Sequence, residues 1–206
     1  MLWLITGGIA SGKSLFAEHL AASIGREGIH MSCPAFPGRS ADARMKPDRV
    51  STSQGKSFEW LRTEADESLA LKLRAVNRES NLYRADRRVL VVDSLSGWLR
   101  RAVTSAQLDS RSAENSTSLD LAFAEAMDEL LSYQGKLIVV TEEPAALLSM
   151  DAWTAWYTYR LAEANRALSE RSRTVYRLTA GIASEVKGYR VIREVNGDEN
   201  IYKDGR

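Results

Sequence analysis

A glycine, four residues and then Gly12-Lys13-Ser14 is the spacing of a loop that holds phosphate. The loop runs Gly7, Gly8, Ile9, Ala10, Ser11, Gly12, Lys13, Ser14. A triphosphate is gripped mostly by main-chain N–H groups, and glycines let the backbone wrap closely and reach positive φ. A helix beginning near Gly12 or Lys13 would aim its unpaired N–H groups and the positive end of its dipole at the anion. Lys13 is then expected to reach the β- and γ-phosphates and the Ser14 hydroxyl to ligate Mg²⁺, so ATP or GTP with Mg²⁺ is the implied cofactor set. The bland reading is a glycine-rich turn that binds nothing.

Other candidates lie further along the chain. The run Arg88-Val89-Leu90-Val91-Val92-Asp93 reads as a buried parallel strand delivering a carboxylate to its C-terminal edge. Asp93 is the candidate to hold the metal's water shell, although Asp also ends strands simply because it starts turns. Glu143 closes a similar run, Lys136 to Thr141, and is a candidate for orienting an acceptor hydroxyl or a metal-bound water. Because Pro144 follows, a plain strand terminator is the alternative. Arg44, Lys46 and Arg49 are candidates for clamping phosphates, with a solvated loop as the alternative.

The elements needed to position these residues follow from periodicity. Leu2 to Ile5 reads as a strand, and Leu15 to Ile24 as a helix stopped by Gly25. Gly28 to Cys33 reads as a second strand, ended by Pro34. Arg39 to about Trp60 is polar and reads as a loop, or a short helix at Ala41 to Met45. Thr63 to Asn77 has an amphipathic helical pattern, Ser94 to Leu99 begins another helix, and Thr104 to Ser118 reads as a surface loop. Leu119 to Tyr133 is an amphipathic helix, and Asp151 caps a long helix from Ala152 to Arg171. The aromatic stripe of that helix, with Trp153, Trp156 and Tyr157, suits a core or a subunit interface. Arg173 to Leu178 is a further strand followed by a turn at Ala180-Gly181. Tyr189 to Tyr202, with Asn196-Gly197 at its centre, reads as a C-terminal β-hairpin. The alternation predicts an α/β fold of the P-loop NTPase class, a mostly parallel sheet flanked by helices, spanning 1–206 as one domain. Gly7 to Ser14, Ser32, Asp93 and Glu143 would converge at the C-terminal strand edge.

Composition narrows the function. With 206 residues, 44% hydrophobic and 27% charged, the chain can build one full core. A net charge of +1 gives no field to draw it to nucleic acid, so a small-molecule partner is expected. One cysteine, Cys33, excludes a disulfide framework or a cysteine-rich zinc site. No apolar run approaches a membrane span and no basic leader precedes the first strand, so a cytoplasmic protein is expected.

With these stretches placed, the chain resembles the bifunctional adenosylcobinamide kinase / adenosylcobinamide-phosphate guanylyltransferase family of cobalamin biosynthesis. Thr6-Gly7-Gly8-Ile9-Ala10-Ser11-Gly12-Lys13-Ser14 is similar to the family's T-G-G-x-x-S-G-K-S loop. Ala43-Arg44-Met45 looks like its A-R-I, and Trp60 with Thr63-Glu64 like its W-x-T-x-E. Val140-Thr141-Glu142-Glu143 looks like its V-T-N-E, Ala164-Asn165-Arg166 stands at its V-N-Q, and Ala180-Gly181-Ile182 with Lys187 is similar to its S-G-I-x-x-x-x-K ending. In the family, a histidine four residues after the Arg of A-R-I accepts GMP covalently. This chain has Asp48 there, followed by Arg49, and its two histidines, His19 and His30, fall on the first helix and inside the second strand. A carboxylate cannot form the stable phosphoramidate that an imidazole can. The family's Arg-Asp ahead of V-N-Q is also replaced, by Thr158-Tyr159.

The resemblance implies a nucleotide-dependent kinase that moves the γ-phosphoryl group of ATP or GTP to an alcohol, the aminopropanol hydroxyl of adenosylcobinamide. It leaves the guanylyl-transfer half in question and suggests a homo-oligomer. Two alternatives stay open: a nucleotide-binding regulator that has lost turnover, and a P-loop kinase for another small alcohol.

Overall fold

The computed structural model describes residues 1–33, 49–51, 57–79, 86–108, 112–144 and 151–188, with 49–51, 57, 108 and 112–116 as backbone only. Its elements are β1 Leu2–Gly7, α1 Lys13–Ile24, β2 Glu27–Ser32, β3 Arg49–Ser51, β4 Ser57–Glu64, α2 Leu69–Glu79 and β5 Arg88–Asp93. They continue with α3 Leu95–Leu108, α4 Ser112–Ser132, β6 Lys136–Val140, α5 Ala152–Arg171, β7 Thr174–Thr179 and β8 Ile182–Lys187. The strands form one 8-stranded sheet in the order β3-β4-β2-β5-β6-β1-β7-β8. Pairing is parallel from β4 through β7 and antiparallel only in the outer pairs β3–β4 and β7–β8.

The continuous apolar runs have their reason in this architecture. A strand covered by helices on both faces must be apolar at every position, because successive side chains point to opposite sides. Along β5, Leu90 and Val92 enter one core while Val89 and Val91 enter the other. β1 and β6 divide the same way, Leu2, Leu4, Leu137 and Val139 against Trp3, Ile5, Ile138 and Val140. Among the described residues, α1 is the helix that covers the second set, with the small Ala17 and Ala21 fully buried against the sheet. The helices α2 to α5 cover the first through Leu69, Leu73, Trp98, Phe123, Leu130, Leu161 and Leu168.

Three expectations need correction. Trp60, Thr63 and Glu64 belong to β4 rather than to a loop or the start of a helix, and the helix begins at Leu69. β4 pairs residue for residue with β2 from Glu27↔Glu59 to Ser32↔Glu64, and this long-range pairing outweighs the local helical pattern. The true start of α2 is written in Asp66, whose Oδ1 accepts from the Ser68 N–H at 2.9 Å and whose carbonyl accepts from Leu69 N–H at 3.0 Å. The stretch from Thr104 to Ser118 is helical at both ends, in α3 and α4, where the serines and asparagines had suggested a loop. A helix lying on the outside of a domain tolerates a polar face, so polarity alone did not mark a break.

The segment Ile182–Lys187 is a strand that periodicity missed. It forms a hairpin with β7 about Ala180 and Gly181, which take φ of 49° and 84°. The hairpin expected at Tyr189 to Tyr202, the short helix considered at Ala41 to Met45, and Arg44, Lys46 and Asp48 lie outside the described residues.

Candidate functional site

Because the inner strands are parallel, their C-terminal ends share one edge. Gly7, Ser32 and Asp93 end β1, β2 and β5 there, with Ser32 and Asp93 directly paired, and Glu142 follows the end of β6. Of the residues expected from sequence to converge, Gly7, Ser32 and Asp93 end strands at this edge.

The loop between β1 and α1 is shaped by two glycines that nothing else could replace. Gly7 has φ 145°, and a Cβ there would stand 2.3 Å from the Leu178 carbonyl. Gly12 has φ 92° and forms the N-cap of α1, with no side chain capping the helix. The first N–H groups of α1 are thus left for an external acceptor. At Gly8 the position differs, since a Cβ would meet no protein atom within 4 Å. Packing does not explain that glycine, whereas close approach of a ligand does. Two hydroxyls beside the loop, Thr6 Oγ1 and Ser11 Oγ, are buried with no hydrogen-bond partner among the described residues. A phosphate is an acceptor that would satisfy such donors.

Lys13 is buried and folds back onto the loop, its ammonium donating to the carbonyls of Gly7 at 3.2 Å and Gly8 at 2.5 Å. Burial pushes its pKa below the usual lysine value, while the carboxylates of Glu142 and Asp93 work in the opposite direction. The ammonium is thus poised over the loop within the field of two acids. Ser14 sits one residue into α1, partly exposed. Ile9 is exposed and Ala10 takes φ 57° at the crown of the loop.

Two carboxylates follow Thr141, and the structure separates them. Glu142 is buried and bonded to Arg100 at 2.9 Å, which also donates to the Tyr157 hydroxyl at 3.2 Å. Glu143, the acid picked from sequence, instead pairs with Arg177 at 3.0 Å, with 43% of its side chain exposed. The segment is pinned by Asn165 of α5, whose Oδ1 accepts from the Thr141 hydroxyl at 2.9 Å and whose Nδ2 donates to the Glu142 carbonyl at 2.9 Å. The loop is fastened from the other side by the β7–β8 turn, where Gly181 N–H donates to Ser11 O at 3.1 Å. From sequence, Glu142 stood beside the chosen acid and Gly181 in a turn, each within a stretch similar to the family's, with no sign that they meet the loop. Arg49 lies in β3, opposite Glu59, with its backbone alone described.

The donor set of Ser14 hydroxyl and Asp93 carboxylate is hard oxygen, which suits Mg²⁺. No cluster of three or more His, Cys, Asp or Glu that could hold a metal exists among the described residues. A cavity of about 510 Å³ lies instead between α4 and α5 and is lined by none of the loop residues.

A parallel sheet flanked by helices, with this loop between β1 and α1, defines a nucleotide-binding protein of the P-loop NTPase class. The family described as cobinamide kinase / cobinamide phosphate guanyltransferase matches residues 3–186. The chain belongs to that family of cobinamide-processing enzymes. No individual curated protein matches it. Among the described residues no helix is long and apolar enough to cross a membrane.

Proposed function

We propose that this chain carries out the phosphoryl-transfer half of its family's chemistry, moving the γ-phosphoryl group of ATP or GTP to the aminopropanol hydroxyl of adenosylcobinamide. The observation that carries the reading is the Lys13 ammonium, held over the loop by Gly7 and Gly8 and within the field of Glu142 and Asp93. In the transfer, the bond from the γ-phosphorus to the bridging oxygen breaks, and a bond to the acceptor oxygen forms. Charge develops on the γ-phosphoryl oxygens, which Lys13 and the amides of Gly8 to Ser14 stabilise. Ser14 and Asp93 would hold Mg²⁺, which would supply neutralisation of the charge on the phosphates. Glu142 takes the orienting role expected of Glu143, because it is buried and acts on Lys13, whereas Glu143 lies exposed against Arg177. The hydroxyl proton passes to a carboxylate at this strand edge.

Two features argue against covalent guanylyl transfer. Asp48 replaces the accepting histidine, and neither remaining histidine suits the role: His19 is exposed on α1 and His30 is 1% exposed within β2. A paired assay with Mg²⁺ tests both halves: phosphate transfer from γ-labelled ATP or GTP to adenosylcobinamide, and label retained on protein from α-labelled GTP. Phosphorylated cobinamide with unlabelled protein is expected. Acid-labile labelled protein would restore guanylyl transfer. Nucleotide binding with neither product would leave a regulator or a kinase for another alcohol.

A further inference from the structure

Behind Asp93 lies a buried polar chain that phosphoryl transfer as described above does not use. His30 falls between Ile29 and Met31 of one core, so its ring faces the α1 side of the sheet, among Trp60, Arg62 and Glu18. Its side chain is 1% exposed. The Arg62 guanidinium stands 2.6 Å from His30 Nδ1 and also donates to Glu18 Oε1 at 2.9 Å. The Trp60 ring lies against the same guanidinium, 5.5 Å from centroid to Cζ. On the opposite edge of the imidazole, His30 Nε2 lies 3.4 Å from Asp93 Oδ2 and is buried without a hydrogen-bond partner among the described residues.

These contacts determine the tautomer. A guanidinium has five donors and no acceptor, so the nitrogen it approaches must present a lone pair. Glu18 could instead accept from a protonated Nδ1, but it stands at 3.5 Å, and a proton on Nδ1 would collide with the closer N–H of Arg62. The single proton of the neutral ring is therefore on Nε2, the nitrogen facing Asp93. We propose that Glu18, Arg62 and His30 form a relay that holds an N–H against Asp93 and so orients the carboxylate that receives the metal's water shell. His30 is a positioning residue, acting through Asp93 and touching no substrate. Such partners of metal-facing carboxylates and histidines act on metal affinity, and their loss typically costs about 10–100-fold. At 3.4 Å the pair is longer than a full hydrogen bond, and hydrogen bonds of this kind often tighten only in the loaded complex.

The inference rests on the role given to Asp93, and its tests read tautomer and nucleotide binding, so it can fail separately from cobinamide turnover. Long-range ¹H–¹⁵N correlation on the whole, nucleotide-free protein should find His30 protonated at Nε2 and bare at Nδ1. The reverse tautomer overturns the relay. Calorimetric titration with ATP and GTP, with and without Mg²⁺, provides the second reading. His30→Leu should lower the Mg²⁺-dependent part of nucleotide affinity roughly tenfold and leave the metal-free affinity unchanged. His30→Gln, whose amide N–H₂ can take the place of Nε2–H, should recover most of it. Equal losses with and without metal, or no loss in His30→Leu, would show a purely structural histidine. Asp93→Ala should abolish the metal-dependent part, and if it does not, the role given to Asp93 fails rather than the tautomer.

Discussion

The N–H of Gly181 donates to the carbonyl of Ser11 at 3.1 Å, which ties the turn between β7 and β8 to the phosphate loop. Gly181 holds φ 84°, and a Cβ at the neighbouring Gly12 would come within 3.7 Å of its Cα. The hairpin at the edge of the sheet thus acts as a buttress for the loop. Gly181→Val should strain the turn by about 1–2 kcal/mol and weaken ATP binding several-fold. Calorimetric ATP titration of the folded variant checks this, and wild-type affinity would refute the buttress.

Gly7 and Gly8 are adjacent but should fail differently. Gly7→Ala forces a Cβ to 2.3 Å from the Leu178 carbonyl, so a large loss of thermal stability is expected. Gly8→Ala meets no protein atom within 4 Å, so stability should stay within about 0.5 kcal/mol of wild type. Nucleotide affinity should nonetheless fall in Gly8→Ala, because the methyl group occupies the approach to the loop. A melting curve and an ATP titration on each variant separate the two roles.

Asn165→Ala removes both the acceptor for the Thr141 hydroxyl and the donor to the Glu142 carbonyl. Each partly buried bond is worth about 1 kcal/mol, so a loss of roughly 2 kcal/mol is expected from chemical denaturation. Turnover should fall further than nucleotide affinity, since the segment it releases carries Glu142. Equal falls in both would place Asn165 outside the chemistry.

Partial burial raises the Asp66 carboxyl, but hydrogen bonds from Lys72 and Ser68 outweigh it and hold the pKa at about 2. A depressed folded value stabilises the protein above the unfolded carboxylate value, near pH 4, and the contribution is lost as pH falls toward 2. With a third of the side chain exposed, solvent screening reduces the contribution to about 1 kcal/mol. Asp66→Ala should lower stability at neutral pH and flatten its fall between about pH 4 and 2. An acid limb as steep as in wild type would contradict this.

Burial pushes the Cys33 thiol up to about 11, outweighing the nearby Arg101 guanidinium. The thiolate is the reactive species, so iodoacetamide at neutral pH should label the folded protein slowly and the denatured protein fully. Rapid labelling under native conditions would mean that the end of β2 opens far more often than its packing implies.

Much of the site was legible because its chemistry is local. The spacing of Gly7, Gly12, Lys13 and Ser14 specifies a strand, a turn with positive φ and a helix start within one contiguous stretch, and backbone sterics enforce each. The run Val89 to Val92 ending in Asp93 predicted a buried strand because helices on both faces demand continuous apolarity. Asp151 likewise announced α5 by capping it, accepting from the N–H of Trp153 and Thr154. The tertiary structure alone decided which residues from separate strands meet. Register placed Ser32 opposite Asp93 and His30 opposite both Val91 and Arg62. Register depends on pairings between segments far apart in the chain, which no local window contains. The choice between Glu142 and Glu143 came from Arg100, Asn165 and Arg177, on three other elements, because neighbouring carboxylates have the same chemistry until different partners receive them.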